Sequence, residues 1–388
     1  MSKEIVKSQV VPLLDVNRGN RLLREEILDA IADVVDSGRF LHGPQVGELE
    51  CTVAGICQTK NAIACASGSD ALLLALMAID IQPGDEVIVP SFTFFATASA
   101  VSRLGAIPVF VDIDPSTYNI CPTDVAANVT SRTKAIIPVH LFGQCAPMDQ
   151  LMAIANCHGI HVIEDAAQAI GATYQGKPAG AWGDIGCLSF YPTKNLGGMG
   201  DGGMMVCNQS DLAAKLRLMA SHGMQPRYYH KCIGINSRLD TIQAAVLKIK
   251  IAHLQSYTEA RQRNADRYAQ LFVAEGLSRY IELPHDSKQG THVWNQYGIR
   301  VPDGMRDAMR KHLGELHIGN EVYYPVPLHL QECYQDLGYS IGCLPETERA
   351  AKEILHLPIY PEMTAQEQEA VVAGIKRFYA SASMSRAA

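Results

Sequence analysis

The stretch Val162-Ile163-Glu164-Asp165-Ala166-Ala167-Gln168 reads as a short apolar strand that ends in a carboxylate. In α/β proteins ligand groups gather outside the carboxyl ends of the strands, so an acid at that point is either a site residue or an N-cap for the next element. Working outward, the β-rich runs 85–89, 107–113, 135–141 and 161–163 alternate with helical stretches at 94–104 and 148–158. Strands alternating with helices of about 10–15 residues are βαβ units and predict a mainly parallel sheet. The runs Ile107-Pro108-Val109-Phe110-Val111 and Ala135-Ile136-Ile137-Pro138-Val139 are continuously apolar, as strands covered by helices on both faces should be. Each carries a proline, which fits a strand end better than a strand centre.

The flanks complete an α/β plan. Over 21–37 the apolar positions Leu23, Ile27, Ile31 and Val34 recur at three- and four-residue steps until Gly38, which predicts an amphipathic helix. From Leu239 to about Phe272 one or two long helices are expected, with Ile242, Ala245, Val246 and Ile249 on one face. Residues 281–388 carry their own strand and helix signals, so a boundary is expected near 250–275. This divides the chain into a large domain with an N-terminal arm, 1–255, and a smaller C-terminal α+β domain, 256–388. The small, polar tail 381–388 is expected to fray. A chain of 388 residues suits two to three domains at roughly 150 residues each.

Composition narrows the function. With 33 Lys+Arg against 40 Asp+Glu the formal charge is −7, which argues against a nucleic-acid partner. Hydrophobic residues make up 47% and charged residues 19%, the balance of a folded globular protein. No run approaches the ~18 apolar residues of a membrane span, and the start lacks a secretory pattern, so a soluble cytoplasmic protein is expected. Eleven cysteines include no C-x-x-C pair, so no metal site is expected and the cysteines read as reduced, buried thiols.

Two further stretches bear on chemistry. Ser189-Phe190-Tyr191-Pro192-Thr193-Lys194-Asn195-Leu196-Gly197-Gly198-Met199-Gly200-Asp201-Gly202-Gly203 sets one lysine between a strand and a glycine-rich turn. In Ala64-Cys65-Ala66-Ser67-Gly68-Ser69-Asp70-Ala71-Leu72, a small-residue turn opens an apolar helix, whose first amides and dipole make an anion seat. Taken singly, the lysine reads as a surface cation. Together, a lysine, a strand-end aspartate and a phosphate-sized seat are what a pyridoxal phosphate site requires. The lysine amine forms the Schiff base and the aspartate keeps the pyridine nitrogen protonated. Phe94, in Pro90-Ser91-Phe92-Thr93-Phe94-Phe95-Ala96-Thr97, is a core residue or the aromatic cover of the ring. The turn also satisfies G-x-G-x-x-G, but Met204-Met205-Val206-Cys207 after it reads as a strand where a dinucleotide site needs a helix. The cluster Arg227, His230 and Lys231 beside Tyr228 and Tyr229 is either a solvated loop or an anion-recognition loop.

These residues resemble the DegT/DnrJ/StrS family of pyridoxal phosphate-dependent nucleotide-sugar aminotransferases, which have the fold-type I architecture of aspartate aminotransferase. The resemblance runs from Ser37-Gly38-Arg39-Phe40-Leu41-His42-Gly43-Pro44 through the stretches above to Tyr323-Tyr324-Pro325-Val326-Pro327-Leu328-His329 and Leu357-Pro358-Ile359-Tyr360-Pro361. It implies that Lys194 is the Schiff-base lysine, that Asp165 pairs with the pyridine nitrogen and that Gln168 approaches the phenolic oxygen. Gly68, Ser69 and Ser189 would hold the phosphate, and Phe94 would stack on the ring. Asn236 would reach the phosphate of a neighbouring subunit, implying a homodimer with shared active sites; read alone, Asn236 is equally a helix cap. The implied reaction is ping-pong transamination from L-glutamate to a nucleotide-linked keto sugar. Members with histidine in place of the lysine dehydrate instead, and Lys194 is present here.

The stretches 222–231 and 236–245 are most similar to members that aminate C3 of 3-oxo sugars, such as UDP-2-acetamido-3-oxo-glucuronate or dTDP-3-oxo-6-deoxyhexoses. A uronate carboxylate would want a cation, for which Arg238, Arg227 or His329 are candidates, Arg238 being equally a structural salt-bridge partner. A 4-oxo-sugar aminotransferase is the alternative, followed by a non-catalytic cofactor-binding sensor and, last, an oxidoreductase. The sequence departs from the family in His292-Val293-Trp294-Asn295-Gln296-Tyr297, where Asn295 replaces a commoner second histidine.

Overall fold

Short apolar runs become the strands of the computed structural model, which describes residues 10–387, with side chains to Ser381. The first nine residues of the expected N-terminal arm and Ala388 lie outside the described residues. In chain order the strands are β1 Asn61–Cys65, β2 Glu86–Pro90, β3 Ile107–Val111, β4 Thr133–Ile136, β5 His161–Asp165, β6 Thr173–Tyr174, β7 Lys177–Pro178, β8 Ile185–Ser189, β9 Gly203–Cys207, β10 Tyr297–Arg300 and β11 Ile354–Leu357. Seven of them form one sheet in the order β1-β9-β8-β5-β4-β2-β3. Only β9 is antiparallel to its neighbours; the other pairings, β8 to β5, β5 to β4, β4 to β2 and β2 to β3, are parallel. The expected α/β class with a mainly parallel sheet is what the chain adopts.

Successive residues of each strand feed opposite cores, as a two-residue period demands. Val162, Met204 and Val206 join one core with Leu49, Leu151 and Leu247, whereas Ile163, Met205 and Cys207 join another with Leu72 and Leu74. Pro108 is tolerated because β3 is an edge strand, paired only to β2. Pro138 lies beyond the end of β4, and its carbonyl accepts from the Asp165 amide at 2.9 Å.

A third core gathers Tyr297, Ile299, Leu355 and Leu357 of the β10-β11 ribbon with Met309, Leu313, Val371 and Ile375. The helix Leu254–Ala274 starts in the sheet's core through Leu254 and ends in this one through Tyr268 and Phe272. We propose that the two domains divide at the start of that helix, near residue 255.

Up to Ala387 the tail 381–388 belongs to the helix Ala365–Ala387. One expectation needs correction. All eleven cysteines are free, but only Cys57, Cys65, Cys145, Cys187 and Cys207 are buried, whereas Cys51, Cys157, Cys333 and Cys343 are exposed. Cys51 and Cys157 lie on the outer faces of the helices Pro44–Ile56 and Met148–His158. No helix among the described residues is long and apolar enough to cross a membrane.

Candidate active site

Asp165 is the last residue of β5, at the carboxyl edge of the sheet, and is buried. Its Oδ2 accepts from Thr97 Oγ1 at 2.8 Å and its Oδ1 from the Ala167 amide at 3.2 Å. Loss of water pushes its carboxyl up, while Thr97, Ala167 and the charges of Lys194 and His140 pull it back. No helix directly follows β5, the next residues being turns that lead to β6, so the side chain is not a helix cap. Beneath it Glu164 is fully buried, accepting from the amides of Gly180, Trp182 and Gly183 at 2.8, 2.6 and 2.7 Å and bonded to His140 Nε2 at 2.8 Å. Because His140 Nδ1 accepts from the Ala146 amide at 3.1 Å, its Nε2 carries the proton that goes to Glu164.

Lys194 sits in the turn between β8 and β9, its amide donating to the Tyr191 carbonyl at 2.9 Å. Its amine is pushed down to about 8 by burial, against the attraction of Asp165. The glycines are required by crowding: a Cβ on Gly197 would lie 2.3 Å from the Pro192 carbonyl oxygen. Asn195, next in sequence, donates to the Val293 carbonyl at 2.8 Å and accepts from Asn295 Nδ2 at 2.7 Å. That pair gives Asn295 a physical role: it braces the lysine turn from the segment before β10.

Ser67 caps the helix Gly68–Ala78, its Oγ accepting from the Asp70 amide at 3.1 Å. The amides of Gly68 and Ser69, in the first turn, have no carbonyl within the helix to serve. Here too glycine is dictated by close approach. A Cβ on Gly68 would meet Ser189 Cβ at 2.7 Å, and one on Gly203 would meet the Ser67 carbonyl at 2.4 Å. The helix start is thus pressed against the ends of β8 and β9, which sets the Ser189 hydroxyl beside the two amides.

Phe94 is 58% exposed, so the core reading of this residue fails and its face is free. It borders Tyr324, with ring centroids 6.3 Å apart. Gln168 Oε1 accepts from the Phe142 amide at 2.6 Å, and its Nε2 faces the Tyr324 hydroxyl at 3.5 Å. Thr97, Tyr324, Asn195 and the His140–Glu164 pair were not singled out by sequence reasoning. Of these, Glu164 and Asn195 adjoin Asp165 and Lys194 in sequence and Thr97 lies three residues after Phe94, whereas His140 carries no local signal.

The residues expected at the substrate are less close together. Asn236 is exposed and caps no helix, since Thr241–Ile251 begins after Asp240. Arg238 is half-buried and makes no ion pair among the described residues, so the salt-bridge reading lacks a partner. Arg227 is exposed with its guanidinium 4.9 Å from the Tyr228 ring centre. His329 differs from expectation: it is buried, bonded to Ser91 Oγ at 2.7 Å, and pushed down by burial. It is a neutral internal group that ties the Phe94 loop to the C-terminal part, rather than an exposed cation.

The set as a whole fits pyridoxal phosphate: donors for a phosphate, a free aromatic face, a shielded carboxylate for a ring nitrogen, and a lysine whose amine loses its proton readily. Residues 21–376 match the DegT/DnrJ/EryC1/StrS aminotransferase family. The chain is 49% identical to the "Pleiotropic regulatory protein" of Geobacillus stearothermophilus, over 95% of this chain and 98% of that one. It is 43% identical to the UDP-N-acetyl-3-dehydro-alpha-D-glucosamine 3-aminotransferase of Acidithiobacillus ferrooxidans, over 96% and 99% respectively. Among solved structures, NtdA from Bacillus subtilis with bound cofactor PMP superposes with a TM-score of 0.89 at 36% identity, covering 97% of this chain and 86% of that one.

Proposed function

The chain belongs to the DegT/DnrJ/EryC1/StrS aminotransferase family, and from that premise we propose that it moves the amino group of L-glutamate onto C3 of a nucleotide-linked 3-oxo sugar, using pyridoxal phosphate. The observation that carries the reading is that the parallel pairing of β5 with β8 brings the buried strand-end Asp165, the Lys194 turn and the start of the helix Gly68–Ala78 to one edge of the sheet. The Acidithiobacillus relative, which acts on a 3-dehydro sugar, supports C3 over C4.

When bound, the cofactor supplies an electron sink conjugated to the amine in transit. Gly68 and Ser69 offer two amides and Ser189 a hydroxyl to its phosphate. Phe94 covers one ring face. Asp165 holds a proton on the ring nitrogen, and its isolation from water strengthens that charge pairing. Gln168, its Oε1 engaged by Phe142, has Nε2 left to donate to the phenolic oxygen. Lys194 would hold the cofactor through its aldehyde and, as a free amine, would carry the proton between the donor α-carbon and cofactor C4′, a role its lowered proton affinity suits at neutral pH. Asn236 and Arg238 serve the site of a second subunit, which makes the working unit a homodimer; Arg238 and Arg227 are the cations for a sugar or nucleotide anion. His329, buried and held below the ordinary imidazole range, offers no cation to the substrate.

The name of the Geobacillus relative raises a second reading, a cofactor-binding regulator without turnover. One experiment separates the two. The cofactor-loaded protein is treated with L-glutamate while its absorbance is followed, then offered 3-oxo and 4-oxo nucleotide sugars. Loss of the visible band with L-glutamate, followed by amine on the 3-oxo sugar, is the expected result. Amination of the 4-oxo sugar alone would move the site of reaction to C4, and a band indifferent to every amino donor would favour the regulator.

A further inference from the structure

The loop that carries Phe94 also supplies the side-chain donor for Asp165. Thr97 stands in the first turn of the helix Ala96–Ser102, with its amide donating to the Phe94 carbonyl at 3.2 Å. Its hydroxyl donates to Asp165 Oδ2 at 2.8 Å, and Thr93 Oγ1 lies 3.1 Å from that same hydroxyl. Thr97 and Thr93 are 0% and 1% exposed, so water does not compete for either. Because the single hydroxyl proton of Thr97 goes to Asp165, Thr93 is the donor of the second bond. The two hydroxyls form a chain, Thr93 to Thr97 to Asp165, in which each bond polarises the next.

What the chain does to Asp165 follows from its direction. Burial favours the protonated carboxyl, and a carboxyl that keeps its own proton cannot balance a charged ring nitrogen. A hydrogen bond donated to a carboxylate is stronger than one between neutral groups, so the chain favours the ionised acid. Lys194 and His140 favour the same form through space, without bonding to it. Cys187 of β8 and Tyr324 are the other titratable groups around the carboxyl, and burial holds both neutral. Among the described residues Thr97 is the only side chain bonded to the Asp165 carboxyl; the Ala167 amide takes Oδ1, so each oxygen is fixed by one donor.

We propose that Thr97, backed by Thr93, is a positioning residue for the cofactor: it holds Asp165 ionised and oriented, so that the site favours a ring whose nitrogen carries a proton. The inference rests on the role proposed above for Asp165 and is independent of which sugar is aminated. It is tested on the full-length apoprotein by equilibrium titration with two ligands, pyridoxamine phosphate and its analogue with carbon in place of the ring nitrogen. Neither carries an aldehyde, so neither links to Lys194. Only the first can set a proton opposite Asp165, so the ratio of the two affinities reads the charge pairing and cancels any general loosening of the site.

Wild type should favour pyridoxamine phosphate by well over about tenfold. Thr97→Val, which keeps the shape and removes the donor, should cut that ratio about tenfold, as expected for one hydrogen bond to a charged group, while affinity for the carbon analogue stays within about twofold. Thr97→Ser should restore the ratio. Thr93→Val removes only the second link and should lower the ratio about two- to threefold; should Thr97→Val fail to fold, that variant decides. A ratio in Thr97→Val within about twofold of wild type, an equal weakening of both ligands, or no restoration by serine overturns the proposal. A wild type that binds both ligands equally removes the role given to Asp165 itself, and the proposal with it.

Discussion

Lys194 carries an amine whose proton affinity is set by two opposing neighbours: burial lowers it to about 8, and Asp165 draws it back up. In the apoprotein the free-amine fraction should therefore rise with pH through about 8, well below the ordinary lysine value of ~10.4. The expected result is a rate of pyridoxal phosphate capture that climbs to a plateau above about pH 8. Asp165→Asn removes only the neighbour that raises the affinity, so it should shift the midpoint downward. Stopped-flow absorbance across pH reads both, and a midpoint near 10 would contradict the burial argument. Asn295 is open to a simpler test. Cutting it to alanine strands Asn195 Oδ1 in a buried place, which should cost about 1–3 kcal/mol in urea unfolding; a change below ~0.5 kcal/mol would show the bond to be dispensable. Legibility at this scale follows sequence distance. Lys194 and Asp165 announce themselves through what immediately surrounds them, a glycine-rich turn and a strand end. Thr97 lies 68 residues from Asp165, Asn195 lies 100 from Asn295, and Gln168 lies 156 from Tyr324. Only the folded topology brings those partners together. His329 misleads for the same reason, since nothing local tells that Ser91 will take its Nδ1.

Among the elements, the anion seat depends on how tightly one helix end is pressed against two strands. Gly68 leads the helix Gly68–Ala78, and its missing side chain lets Ser189 of β8 approach. Gly68→Ala would force Cβ against Ser189 Cβ at 2.7 Å, and the contact can be relieved only by moving the helix start away from β8. Overpacking of this kind costs ~1–3 kcal/mol. The displaced amides should also weaken phosphate binding, so cofactor affinity is expected to fall at least about tenfold, equal to ~1.4 kcal/mol. Fluorescence titration of the apoprotein with pyridoxal phosphate checks this; an affinity within about twofold of wild type would mean that the seat tolerates the methyl group. The strands themselves were legible because continuous apolar runs leave a chain little choice but a covered parallel sheet, and the helix Met148–His158 matches its expected span. What the runs do not encode is strand order. Nothing local shows that β5 takes β8 as its second neighbour beside β4, yet that pairing sets the lysine turn next to Asp165.

At the scale of the whole molecule, one chain leaves a surface that asks for cover. Tyr228, Tyr229 and Ile233 are 73%, 71% and 89% exposed. They precede Asn236, exposed, and Arg238, which makes no ion pair among the described residues. A second subunit would bury the apolar group and take the two polar side chains into its own site. The other possible recipient is the chain's own seat, since Ser237 Oγ accepts from the Ala66 amide at 3.0 Å, next to the turn that opens it. The two arrangements differ in what happens when defective subunits are mixed. Lys194→Ala should abolish turnover, and Asn236→Asp should repel the phosphate it serves. In a mixed dimer with shared sites, the Lys194→Ala subunit lends its intact Asn236 to the partner's site, where Lys194 is also intact, so one site of the two is whole. Random pairing makes half the dimers mixed, and co-expression of the two variants should restore about a quarter of wild-type activity. If Asn236 served its own chain, every site in the mixture would carry one of the two defects. Activity no greater than the sum of the separate variants would then rule out the shared site, and with it the role assigned to Asn236.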